Sequence, residues 1–141
     1  MIEQVDVKVN GQGLHDITKP VTDLVAGKDV AEGLCTLFIQ HTSASLVIQE
    51  NYEPSARYDL EQWLNKLVPE DPSLYTHTTE GPDDMPAHIK SALTSTSIGI
   101  PVIGGKMALG TWHLALGTWQ GIFLWEHRHH PGTRKVLVHL S

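Results

Sequence analysis

Cysteine is nearly absent: Cys35 is the only one in 141 residues, which excludes an intramolecular disulfide and any cysteine-based zinc motif. Basic residues are scarce as well. Ten Lys and Arg stand against sixteen Asp and Glu, a formal net charge of −6. A duplex binder needs a basic footprint to neutralise phosphates, so nucleic acid is not an expected partner. No apolar run approaches the roughly 20 residues of a membrane span, and there is no polybasic or amphipathic anchor. No membrane partner is expected. The opening MIEQVDVKVN lacks the layout of a signal peptide, and a cytoplasmic location is the expectation. A Gly-x-Ser-x-Gly elbow and a P-loop are both missing. No Gly/Ser-rich or Pro-rich linker divides the chain, so residues 1–141 read as one domain, long enough to bury a core without staples.

What the chain does have is alternation, two good helical stretches and nine histidines. Val5, Val7 and Val9 alternate with Asp6 and Lys8, the period of a half-exposed strand. DITKPVTDLVAG predicts a short helix that starts near Pro20 and stops at Gly27. GLCTLFIQHT and LVIQEN read as strands. In YEPSARYDLEQWLNKLVP, Ala56, Leu60, Trp63, Leu64 and Leu67 fall at helical spacing between Pro54 and Pro69. DDMPAHIKSALTS predicts a second main helix, with Asp83 or Asp84 at its start. From Ser95 onward the signals are β: IGIPVI, a Gly104-Gly105 turn, GIFLWEH and RKVLVHL. The last strands follow one another too closely for crossover helices, so the class is α+β and not a doubly wound parallel sheet.

Ala108-Leu109-Gly110-Thr111-Trp112 returns as Ala115-Leu116-Gly117-Thr118-Trp119, seven residues on. One strand over residues 106–127 would span about 70 Å at roughly 3.3 Å per residue. The whole domain should be only about 35–40 Å across. The extra residues must therefore leave the strand as a bulge, loop or hairpin. A solenoid is excluded, because repeats need periods of about 20–50 residues and at least three units.

Three polar clusters can carry chemistry. YTHTTEGPDDMPAH supplies His77, Glu80, Asp83, Asp84 and His88 at a loop-to-helix junction, the groups that a divalent metal or an acid/base pair requires. QHTSASL places His41 at a strand end, followed by Thr42, Ser43 and Ser45, whose hydroxyls and free N–H groups suit an anion. In GTWQGIFLWEHRHH, Gln120, Ile122, Leu124 and Glu126 share one face and Trp119, Phe123, Trp125 and His127 the other. Burying Glu126 would be costly unless it is paired. His129 and His130 fall in a loop before Pro131-Gly132.

HTSASLVIQEN, HTTEGPDDMPAHIKSAL, IPVIGGKMALGTW and LGTWQGIFLWEHR resemble, in order, the signature segments of the YjbQ-like proteins, also called the secondary thiamine-phosphate synthase family. The likeness spans nearly the whole chain. It implies an α+β fold, a seven-stranded two-sheet β-sandwich with two main helical insertions, assembled as a homotrimer. It maps family positions onto His41, Thr42, Ser43, Glu50, Asn51, His77, Glu80, Asp83, Asp84, His88, Gln120, Glu126, His127 and Arg128. The family carries one LGTWQG segment, so the second copy here is an insertion. Gly117-Thr118-Trp119-Gln120 is assigned to the site because it leads straight into GIFLWEHR. Gly110-Thr111-Trp112-His113 is assigned to a bulge, loop or extended hairpin, with His113 not a ligand.

The resemblance further implies a weak thiamine-phosphate synthase activity, which joins hydroxymethylpyrimidine diphosphate to thiazole phosphate and releases pyrophosphate. On that expectation Glu80, Asp83 or Asp84 would hold Mg²⁺, and Arg128 would neutralise the leaving diphosphate. Thr42, Ser43, Ser45 and Asn51 would hold a small phosphorylated substrate, with Trp119, Gln120 and Glu126 lining its site. Two rivals stand beside it. In one, His41, His77 and His88 hold Zn²⁺ and hydrolyse a small phosphate or ester. In the other, the protein is a non-catalytic trimeric module that captures an anion. The expected cofactor is thus a divalent ion, Mg or Zn.

Overall fold

Alternation builds the first layer of the computed structural model, which describes residues 1–111 and 119–141. Strand β1 (Ile2–Val9) buries Val7 and Val9 and leaves Gln4, Asp6 and Lys8 in solvent, as a half-covered strand requires. The same pattern recurs in β3 (Glu32–Ile39), β5 (Ser97–Ile103) and β8 (Gly132–Leu140). A two-residue strand, β6 (Lys106–Met107), completes a five-stranded sheet in the order β1-β8-β3-β5-β6. A smaller sheet contains β2 (Gly13–Asp16), β4 (Ala44–Glu50) and β7 (Gln120–Glu126), in the order β2-β7-β4. Every pairing is antiparallel. The described residues thus form eight strands in two sheets, not the seven expected. Two short strands have no counterpart among the segments read as strands in the sequence: β6, and β2, four residues that pair with β7 from Gly13↔Glu126 to Asp16↔Phe123.

Two apolar layers share β7. Ile122 and Leu124 face the large sheet and pack among Cys35, Leu37, Val136 and Val138. Phe123 and Trp125 face the other way, against Leu14, Leu64 and Val68. Because both faces of β7 are covered, its residues from Gly121 to Glu126 are all buried. Helix α1 (Thr18–Ala26) adds Val21 and Val25, one turn apart, to the inter-sheet core. Its start is held by Asp16, whose Oδ1 accepts from the Thr18 N–H at 2.9 Å and the Thr18 hydroxyl at 2.6 Å.

Helix α2 (Pro54–Leu67) begins on Pro54, where a missing N–H costs nothing. Of the apolar residues expected on its face only Leu64 is fully buried, and Trp63 and Leu67 are exposed. Helix α3 (Asp84–Leu93) turns Ala87, Lys90 and Ser91 inward, and the Ser91 hydroxyl donates to the Ala44 carbonyl of β4 at 3.2 Å. No described helix is long and apolar enough to cross a membrane.

The β5–β6 hairpin turns on Gly104 and Gly105, at φ of 59° and 76°, the left-handed pair that a two-residue hairpin turn demands. Beyond it, the Gly110 carbonyl accepts from the N–H of Trp119 at 2.7 Å and of Gln120 at 3.1 Å. The Gly110 N–H donates to Gln120 Oε1 at 2.7 Å. Gly110 and the pair Trp119-Gln120 therefore meet in one narrow neck. Trp112, His113, Gly117 and Thr118, on which the choice between the two copies partly rests, lie outside the described residues.

Candidate metal centre

The loop between α2 and α3 carries a single 3-10 turn, Pro72–Leu74, and then folds back over the start of α3. Gly81, at φ +104°, makes the reversal. A Cβ there would lie 3.2 Å from Asp83 Oδ1 in a conformation that side chains rarely adopt. Asp84 and His88 are one helical turn apart, so both side chains leave the same face of α3. His77 and Glu80 come down from the loop onto that face.

Four ligand atoms, one each from His77, Glu80, Asp84 and His88, lie within 4.8 Å of one another. Asp84 Oδ2 is the hub: His77 Nε2 stands 2.8 Å from it and His88 Nε2 3.3 Å. Glu80 Oε2 is 3.3 Å from His77 Nε2. The two imidazole rings are 5.8 Å apart between centroids. Asp84 is buried, while His77 and Glu80 are exposed, so the cluster has a fixed floor and an open top.

Arg128, just past the end of β7, closes the floor. Its Nη1 donates to Asp84 Oδ1 at 2.8 Å, and Nε and Nη2 donate to the two Asp83 oxygens at 3.3 and 3.2 Å. Burial pushes both carboxyls up, but other contacts outweigh it. Arg128 and the His129 N–H hold Asp83 below the ordinary carboxylate range. Asp84 is held low by its contacts with Glu80 and His77 and by the charges of His88 and Arg128. Asp84 is therefore an anion at neutral pH, able to act as an oxygen ligand. Bonding to Asp83 pushes the Arg128 guanidinium further up, so it stays charged.

The other residues singled out in the sequence lie elsewhere. His41 accepts a long 3.4 Å contact from the Lys135 N–H. With Thr42 it lines an open cleft of about 450 Å³, together with Phe38, Ile39, Gln40 and Thr96. Its ring nitrogens are not among the converging ligand atoms, so His41, His77 and His88 do not form one triad within this chain. Burial, then Arg134 and Lys135, lower the His41 pKa. The Ser43 carbonyl accepts from the His127 N–H at 3.1 Å. Ser45 is wholly buried, with its Oγ 2.9 Å from His127 Nε2. The Asn51 N–H donates to the Trp119 carbonyl, and the Gln120 side chain is spent on the Gly110 neck.

Glu126 is fully buried in the inter-sheet layer, with Oε1 2.5 Å from Arg134 Nε and Oε2 without a protein partner. Burial raises its pKa, against the pull of Arg134. Arg134 escaped the sequence reading, as did Lys90. The signal for Lys90 was its place on the inward face of α3, in step with Ala87 and Ser91. Its Nζ donates to Asn65 Oδ1 at 2.6 Å, Asn65 Nδ2 donates to Gln12 Oε1 at 3.3 Å, and Gln12 Nε2 donates to the His127 carbonyl at 3.1 Å. This chain ties α3 and α2 to the exit of β7.

Fold and site together define a two-sheet α+β protein with a mixed histidine–carboxylate cluster where a loop meets a helix start. The chain belongs to the UPF0047 protein YjbQ-like family, whose profile matches residues 3–114. A UPF0047 protein of Synechocystis sp. is 50% identical over 135 residues, 96% of this chain and 87% of that protein. The UPF0047 protein YjbQ of Salmonella typhimurium is 46% identical over 131 residues, covering 92% and 89%. A crystal structure from Clostridium acetobutylicum, described as an uncharacterized conserved protein of the yjbq/upf0047 family, is 31% identical with a TM-score of 0.79. That likeness covers 100% of this chain and 99% of the other. These findings overturn the expected thiamine-phosphate synthase activity and the transferase class with it. The two sequence relatives are named by family alone and the third is described as uncharacterized, so none of the three names carries a reaction.

Proposed function

We propose that the protein is a metal-binding protein that holds one divalent transition-metal ion on His77, Glu80, Asp84 and His88. The observation that carries this is the convergence of two imidazole nitrogens and two carboxylate oxygens within 4.8 Å. Donors bound at about 2.0–2.2 Å stand at most about 4.4 Å apart across a metal, so a small closure of the exposed His77 and Glu80 suffices. Two imidazoles disfavour Mg²⁺, which takes oxygen and water, and suit Zn²⁺, Fe²⁺, Co²⁺ or Ni²⁺. Four protein ligands on one side leave the exposed top for water or an oxygen donor such as a phosphate. Elemental analysis and Zn²⁺ titration of untagged protein test this. One equivalent bound, and lost in Asp84→Asn and in His88→Ala, is the expected outcome; wild-type protein that takes up no Zn²⁺ refutes it.

We further propose that copies assemble, as a trimer, through the outer face of the large sheet. No described helix covers that face, and Ile2, Leu34, Phe38 and Ile103 stand exposed on it. Light scattering of wild type and Phe38→Glu tests this, and a monomeric wild type rejects it.

A further inference from the structure

We infer that Arg128 is the positioning residue of the metal centre, fixing two of its four ligands at once, and that Asp83 locks it in place. The inference rests on the metal-binding proposal and goes beyond it. A guanidinium has five N–H donors and no acceptor. Four of the Arg128 donors are spent: Nε on Asp83 Oδ2, Nη1 on Asp84 Oδ1, and Nη2 on Asp83 Oδ1 and on the Glu80 carbonyl at 2.7 Å. With one N–H left, Arg128 is not a free cation waiting for a leaving phosphate. It is a bracket between the protein core and the ligand loop.

Each contact has a consequence. Holding Asp84 Oδ1 turns Oδ2 toward His77 and His88 and leaves a single Asp84 oxygen for the metal. Holding the Glu80 carbonyl fixes the backbone of an otherwise exposed ligand. The bracket is itself rigid. Its two preceding residues, Glu126 and His127, are among the most deeply buried in the chain. The residue after it donates its N–H to Asp83 Oδ2 at 3.0 Å. Asp83 could have capped α3, but its side chain makes no cap bond and serves Arg128 and His129 instead. Outer-shell partners of this kind orient the ligands and tune the metal. A lysine cannot replace the fork, because one ammonium cannot reach three groups set in a plane.

Co²⁺ titration of the full-length untagged apoprotein tests the inference, since the visible absorption of bound Co²⁺ reports its coordination number and donor set. Wild type should bind one Co²⁺ per chain. Arg128→Lys, which leaves every ligand in place, should bind about 10–100-fold more weakly, with a changed spectrum. Asp83→Ala should move both readouts in the same direction. Arg128→Lys protein with wild-type affinity and spectrum overturns the positioning role and leaves the metal site standing. Wild type that binds no Co²⁺ overturns the metal site, and the role of Arg128 with it. If circular dichroism shows Arg128→Lys unfolded, Asp83→Ala decides, and wild-type affinity and spectrum there overturn the inference.

Discussion

His127 should make the protein acid-sensitive by an amount that can be worked out. Its imidazole is 1% exposed, with Nε2 on Ser45 and Nδ1 without a protein partner. Burial, and then the charge of Lys90, push its pKa from 6.5 down to about 3. Between those values the unfolded chain carries a proton on this ring and the folded chain does not. The unfolded state therefore binds more protons, and stability falls as pH falls from 6.5 toward 3. Integrated from pH 7.5 to 4.5, this one group removes about 2.7 kcal/mol, a large part of a marginal stability. Urea unfolding of wild type and His127→Gln at both pH values measures it. Gln keeps an amide near Ser45 and cannot titrate, and carboxylates common to both proteins cancel in the difference. Wild type should lose about 2–3 kcal/mol more than the variant between the two pH values. Equal losses would mean that His127 is hydrated or protonated in the fold, and the reasoning would fail.

Three other changes test the packing around β7. Phe123→Ala empties a fully buried position in the helix-facing layer and should cost about 3–5 kcal/mol in urea unfolding. Arg134→Met strands Glu126 between the sheets and should cost about 3–5 kcal/mol at pH 8. Much of that loss should return in the Arg134→Met/Glu126→Gln double variant, where no buried charge is left unpaired. Ser45→Ala removes the hydrogen-bond partner of His127 Nε2 and should cost about 1–3 kcal/mol at neutral pH, read by the same assay.

Local patterns were legible in the sequence, and long-range pairings were not. The alternation of β1, β3 and β8 shows in their residues because one face of each is dry. Strand β2 escaped because four residues between Gly11 and the α1 start carry too little periodicity; β7 recruits it as a partner. Trp63 looked like a core residue of α2, but that position on the helix faces solvent. The four converging residues sit within twelve positions, across one loop and one helical turn, so their spacing alone suggests a cluster. His41 shares their chemistry but lies two residues past the end of β3, where its ring meets the Lys135 N–H. Arg128 was visible as a cation; that Asp83 and Asp84 absorb it depends on a loop 44 residues upstream folding against the exit of β7.

The neck at Gly110 bears on how this chain tolerates added sequence. Its carbonyl already meets the N–H of Gln120. Excising residues 111–117 would leave Gly110-Thr118-Trp119-Gln120, in which the same carbonyl and N–H stand three residues apart, the closure of an ordinary β-turn. Strands β6 and β7 should keep their pairings with β5, β2 and β4 whether nine residues or two stand between those two hydrogen-bonded ends. Loop length beyond that point adds only a slowly growing entropic cost. The neck is thus a splice point, where the chain can lengthen without passing the change on to β7, the strand that delivers Arg128 to the ligand loop.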